Sequence, residues 1–233
     1  MSLDLDQLVV SFGGVHAVDG LSLSIPTDSC TGVIGPNGSG KTTTFNAISG
    51  FVRVSAGRIS LDGAETTGLS PEAMSRKGVV RTFQQPMVFT SLKVGECIEV
   101  VASSRAEVRH LLKLGDLERI ADGRPAELSY GLMRQLGLMI SLATKPKLLL
   151  LDEPTSGLSA PEINSLSEVI GGIRAEGVAL GIIDHNMSFI RRHCGFLYVL
   201  DAGQLIASGA PDQVFADVAV RTAYLGSKGV VNS

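Results

Sequence analysis

Gly35-Pro36-Asn37-Gly38-Ser39-Gly40-Lys41-Thr42 lies between a short apolar stretch, Thr31–Ile34, and a helix-like stretch, Lys41–Ser49. Two glycines bracket four residues ahead of Lys-Thr, the pattern of a phosphate-binding loop. The glycines let the backbone curl so that several N–H groups point at one phosphate. The following helix adds the positive end of its dipole. In such a loop Lys41 reaches the β- and γ-phosphates of a nucleotide, and Thr42 offers its hydroxyl to Mg2+. Asn37, Gly38, Ser39, Gly40 and Thr43 complete the cradle. A plain glycine-rich turn is the competing reading, and the strand before and helix after it argue against that reading.

Further along, Leu148-Leu149-Leu150-Leu151-Asp152-Glu153 reads as a strand buried on both faces, as in a parallel sheet covered by helices. A carboxylate at the end of such a strand, beside a phosphate loop, can hold Mg2+; Asp152 has that position. Glu153 comes next and could polarise a water that attacks the γ-phosphate. Around these motifs, strand-like segments alternate with helical ones. Gln7–Phe12, Leu21–Ile25, Arg58–Leu61, Val79–Phe83, Val178–Ile183, Phe196–Leu200 and Gln204–Ser208 read as strands. Val94 to about Leu117, Gly131–Thr144, Pro161–Ala175 and Met187–Arg192 read as helices, with Gly50 placed to end the helix that begins at Lys41. Alternation of this kind predicts an α/β fold with a mostly parallel core. The helix-only middle, about residues 86–144, is expected as a lobe inserted into a single domain spanning residues 1–233.

Composition narrows the setting. The chain has 233 residues, 44% of them apolar and 18% charged, with a formal net charge of −3. Mean hydropathy is positive, +0.27, yet no stretch approaches the roughly 20 apolar residues of a spanning helix. Without a basic excess, nucleic acid is not the expected partner. The amino terminus, Met1-Ser2-Leu3-Asp4-Leu5-Asp6, carries acid where a secretory signal carries base, so a cytoplasmic chain is expected. Cys30, Cys97 and Cys194 match no metal spacing and give no disulfide framework.

Leu128-Ser129-Tyr130-Gly131-Leu132 precedes the helical stretch that leads into the second motif. Here the sequence resembles the ATP-binding-cassette (ABC) ATPases, whose signature usually reads Leu-Ser-Gly-Gly-Gln. Tyr130 replaces the first glycine and Leu132 the glutamine. The resemblance implies a P-loop NTPase core with a mostly parallel sheet, an antiparallel β subdomain and the inserted helical lobe. It also implies that the signature works in trans, with Ser129, Tyr130 and Gly131 closing over ATP held by a second cassette. On the residues alone, Ser129 also reads as a plain helix cap.

The same resemblance assigns single residues. Gln84 falls where the family places a glutamine that senses Mg2+ and the attacking water, with Gln85 the competing choice. His185 would contact the γ-phosphate. Phe12 would stack on adenine, with Val18 adding an apolar contact; an aromatic there could equally be core. Ser156-Gly157-Leu158-Ser159 corresponds to the loop that links the two ATP sites, with Ser159 in place of Asp or Asn.

A finer likeness rests on Phe12-Gly13-Gly14, Arg81-Thr82-Phe83-Gln84, Leu128-Ser129-Tyr130-Gly131, Asp184-His185-Asn186-Met187 and Ala223-Tyr224-Leu225-Gly226. These resemble the ATP-binding subunits of branched-chain amino acid importers. Urea and amide importers and the lipopolysaccharide-export ATPase share much of the pattern. The implied assembly is a homo- or heterodimer of cassettes docked on transmembrane permease subunits and, indirectly, served by an external solute-binding protein. It would sit peripherally on the inner face of the membrane. A soluble ATP-dependent clamp is the alternative from another class, and the middle of the chain is too short for the long coiled coils of chromosome clamps.

Overall fold

The computed structural model describes residues 2–82 and 88–226. The chain opens with β1 (Ser2–Phe12) and β2 (Val15–Pro26), followed by β3 (Cys30–Ile34) and α1 (Lys41–Ile48). Next come β4 (Ala56–Leu61), β5 (Ala64–Glu65), α2 (Pro71–Arg76) and β6 (Val79–Arg81). After these come α3 (Val94–Glu99), α4 (Arg105–Leu114) and α5 (Tyr130–Ala143). Then β7 (Leu148–Asp152), α6 (Ala160–Ala175), β8 (Ala179–Ile183) and α7 (Met187–His193) alternate strand with helix. The chain finishes with β9 (Phe196–Asp201), β10 (Gln204–Gly209), α8 (Pro211–Ala216) and α9 (Val218–Gly226).

Two sheets result. One is antiparallel, in the order β2-β1-β4-β5; the other runs β10-β9-β3-β8-β7-β6 and is parallel except for β10. In β1 the apolar alternation Leu3, Leu5 breaks at Asp6-Gln7 and resumes at Leu8, Val10. Gln7 has φ +47 and the register shifts there, so a bulge returns Leu8 to the buried face.

The four leucines of β7 explain the layering. Leu148 and Leu150 join the core shared with α1 and the antiparallel sheet; Leu149 and Leu151 join the core shared with the helices on the opposite face. All four are 0% exposed, so truncating any one to Ala would cost about 2–5 kcal/mol. This strand and its neighbour β8 carry the motif residues at their carboxyl ends.

Two expectations change, and the cysteines stand as expected. The helical stretch from Val94 is two helices, because the Ser104 hydroxyl accepts from Glu107 N (3.2 Å) and Glu107 Oε2 accepts from Ser103 N (2.8 Å), capping α4 where continuation was expected. β6 ends at Arg81, and Phe83 lies outside the described residues. The cysteines are free and buried, but Cys30 and Cys194, 164 positions apart, bring their sulfurs to 3.6 Å. Among the described residues no helix is long and apolar enough to cross a membrane.

One buried ring makes the fold sensitive to acid. His193 is 5% exposed, lies 4.6 Å from Phe189 ring to ring, and has Nε2 3.1 Å from Ser167 Oγ. Burial, helped by Arg192 and Arg174, pushes its pKa down from 6.5 to about 4. The unfolded chain therefore binds the extra proton between those values, and stability falls as pH drops through that window. Acidification from neutral pH to pH 5 is therefore expected to lower the unfolding free energy measurably. Urea melts should show a shallower acid slope for His193→Gln than for the wild type, and equal slopes would contradict the assignment.

Candidate nucleotide site

β3 runs into the loop 35–40, which turns directly into α1. Gly40 caps α1 in the left-handed region, φ +98, and so supplies no side-chain cap to the first amides of the helix. A Cβ at Gly40 would stand 2.5 Å from the Ala17 carbonyl, and one at Gly35 would collide with the Leu200 carbonyl. Only glycine allows the backbone to pass this close, and the uncapped helix start is built to receive an anion. Lys41 is 5% exposed, with Nζ donating to Gly35 O (2.9 Å) and Pro36 O (2.8 Å). Burial pushes its pKa down, and the carboxylates of Glu153 and Asp152 oppose that shift. Thr42 and Asn37 are exposed.

Asp152 closes β7 and is buried. Arg81 Nη2 donates to its Oδ2 at 2.6 Å, and Arg81 Nη1 also donates to Asn46 Oδ1. Asp152 Oδ1 is buried with no hydrogen-bond partner among the described residues. A buried carboxylate oxygen with free lone pairs, close enough to Lys41 to act on its ammonium, fits a hard cation such as Mg2+.

Glu153 adopts φ +48, unusual for a non-glycine residue. Its N–H donates to Ile183 O at 2.7 Å. His185 Nε2 lies 3.2 Å from Glu153 Oε1. Asp184, 3% exposed, fixes both loops: it accepts from Thr155 N (2.9 Å), Thr155 Oγ1 (2.7 Å) and Asn186 N (2.8 Å). Glu153, His185, Lys41, Thr42, Thr43, Gly38, Ser39 and Ala17 thus border one cavity of about 170 Å³.

The signature segment sits elsewhere. None of Leu128–Leu132 is among the residues lining that cavity. Ser129 is the N-cap of α5, its hydroxyl accepting from Leu132 N at 3.3 Å, and it is exposed. Gly131 N donates to Glu162 Oε1 (3.2 Å), while Glu162 Oε2 accepts from Ser159 N (2.9 Å) and Ser159 Oγ (2.7 Å). Those Ser159 bonds, foremost among several, hold the Glu162 pKa below the usual carboxylate value. The Ser159 hydroxyl is therefore engaged within its own chain. Leu132 is half-buried against the helical core, which accounts for an apolar residue there. Tyr130 turns to its own chain, where its hydroxyl accepts from Arg134 Nη2 at 2.8 Å.

Phe12 is 53% exposed at the end of β1, as a stacking platform requires. Val18 needs correction: it is 0% exposed and packs beneath Gly40, so it offers no surface to a base. Ala17, one residue earlier, is the strand residue at the cavity. Gln84, with Gln85, lies outside the described residues. Sequence reasoning missed Arg81, Arg134, Asp184 and Glu162 as organisers of the site. Arg134 left one signal, as the sole charged residue in α5.

The family described as ABC transporter matches residues 18–156, and one described as branched-chain amino acid ATP-binding cassette transporter matches residues 204–229. The high-affinity branched-chain amino acid transport ATP-binding protein BraF of Pseudomonas aeruginosa is 34% identical, over 96% of this chain and 97% of that protein. The lipopolysaccharide export system ATP-binding protein LptB of Haemophilus influenzae is 31% identical, over 97% and 98%. The ADP conformation of MJ1267, an ATP-binding cassette of an ABC transporter, superposes with a TM-score of 0.88 at 29% identity, over 97% of this chain and 99% of that one.

Proposed function

The chain belongs to the ABC transporter family of ATPases, and from that premise we propose that it is the ATP-hydrolysing subunit of an importer for branched-chain amino acids. The observation that carries the catalytic part is the meeting of Glu153 and His185, 3.2 Å apart, at the cavity that Lys41 borders. The solute is supported by the match of residues 204–229 and by the likeness to BraF. Lipopolysaccharide export is the second reading, resting on the likeness to LptB, and the carboxyl-terminal match favours the first.

ATP places its phosphates on the free amides of the loop and of α1, and Phe12 stacks on the adenine. Lys41 exchanges its carbonyl partners for the β- and γ-phosphates. Asp152 and Thr42 would hold Mg2+, whose positive charge would offset that of the phosphates. Glu153 orients the attacking water and takes up its proton, and His185 hydrogen-bonds the γ-phosphate. Gln84 keeps its assignment as sensor of the metal and the water, on the resemblance alone. The exposed Ser129 and the Gly131 amide complete the site on a second cassette, a copy of this chain or a sister chain. ATP bridges the pair, hydrolysis removes the bridge, and the helical lobe passes the opening to permease subunits. Those subunits hold the chain on the inner membrane face and receive solute from an external binding protein.

Purification from native membranes tests the assembly. The chain should be recovered with a multi-span membrane protein and leave the membrane fraction when that protein is deleted. Recovery as a lone soluble protein in both cases would sink the transporter reading.

A further inference from the structure

We propose that Arg134 is a positioning residue for ATP hydrolysis, holding from the signature helix the backbone turn that carries Glu153. The proposal rests on the reading of Glu153 as the base.

Arg134 is 7% exposed, and burial favours hydrogen-bond acceptors around its guanidinium. Nη1 donates to Glu153 O at 2.6 Å, and Nη2 donates to Ser156 O at 3.0 Å and to the Tyr130 hydroxyl at 2.8 Å. The guanidinium carbon lies 5.1 Å from the centre of the Tyr130 ring. Two of its acceptors are thus carbonyls of the turn that begins at Glu153. That turn is where the backbone takes φ +48, a conformation a glutamate holds only when its surroundings impose it.

Two bodies impose it. From the parallel sheet, Ile183 O accepts from Glu153 N and Asp184 accepts from Thr155. From the inserted lobe comes Arg134. Other contacts tie the start of α5 to the same segment: Glu162 accepts from Gly131 N, and the Tyr130 ring packs against Gly157. The signature and the base are therefore joined within one chain, although they serve different ATP molecules. Seating the signature on the partner's ATP sets the angle at which Arg134 holds Glu153. Tyr130, at the place of the usual glycine, supplies the platform and one acceptor for that guanidinium.

The test separates positioning from binding. Arg134→Met should lower kcat on the order of 100-fold, the cost of misplacing a reacting group by about 1 Å, with KM for ATP little changed. Arg134→Lys, which keeps the charge and fewer donors, should recover part of the rate. In a Glu153→Gln background, ATP-dependent pairing followed by sedimentation should survive Arg134→Met. A kcat within about threefold of wild type, or loss of that pairing by a folded variant, would overturn the proposal. If Arg134→Met does not fold, Tyr130→Phe removes only one acceptor and should lower kcat about fivefold at constant KM; no change would overturn it. Failure of the underlying reading is distinguishable, because Glu153→Gln would then hydrolyse ATP at the wild-type rate.

Discussion

Glu153→Gln is expected to keep ATP affinity and to lose hydrolysis by roughly 100- to 10,000-fold. The substitution preserves the size of the side chain and an oxygen that can accept a hydrogen bond from His185, 3.2 Å away. It removes the ability to take a proton from the attacking water. The backbone holds on residue 153, from Ile183 O and Arg134, do not depend on the carboxylate, so the turn keeps its shape. In the proposed mode nucleotide binding rests on Lys41 and the amides of α1, which the variant leaves alone. Phosphate release and titration with a fluorescent ATP analogue measure the two properties separately. Because the bridging nucleotide persists, the variant should also accumulate as an ATP-dependent pair. Normal turnover would remove Glu153 from the role of base.

Both properties are expected to fall in Lys41→Ala, with ATP affinity reduced about 100-fold and turnover lost with it. The ammonium of Lys41 is buried within the phosphate loop and bonded to two of its carbonyls. Burial works against its charge, as its lowered pKa records, so a nearby anion is its natural partner. The fold itself should change little, since removing the side chain also removes the cost of burying that charge. Calorimetric titration with ATP checks the affinity. Thermal melts give a second reading: ATP should raise the wild-type midpoint and leave the variant unmoved. Affinity within about threefold of wild type would contradict the placement of Lys41 at the phosphates.

The parts of the site that were legible in the sequence are local. The phosphate loop needs only its own glycines, the strand before it and the helix after it. The run Leu148–Leu151 announces a strand buried on two faces, and Asp152 and Glu153 inherit their place from its end. Less legible were residues whose meaning depends on a distant partner. Arg81 bonds Asp152 across 71 positions, and Asp184 bonds Thr155 across 29. Glu162 reads as an ordinary helix-capping residue until the fold sets it against Gly131. Val18 was misplaced because the edge facing the phosphate loop belongs to Ala17, and one step along a strand reverses the side chain. The break between α3 and α4 was hidden because the leucines of α4 continue a helical spacing while Ser104 starts a new helix.

The central claim is that this chain spends ATP to move a branched-chain amino acid across a membrane. It is tested most directly by leucine uptake into proteoliposomes holding the chain together with the membrane subunits that co-purify with it. With ATP on the cassette side and the external binding protein on the other, labelled leucine should move toward the cassette side, and Glu153→Gln should reduce the movement to background. ATP hydrolysis at full rate with no ATP-dependent leucine movement would contradict the claim.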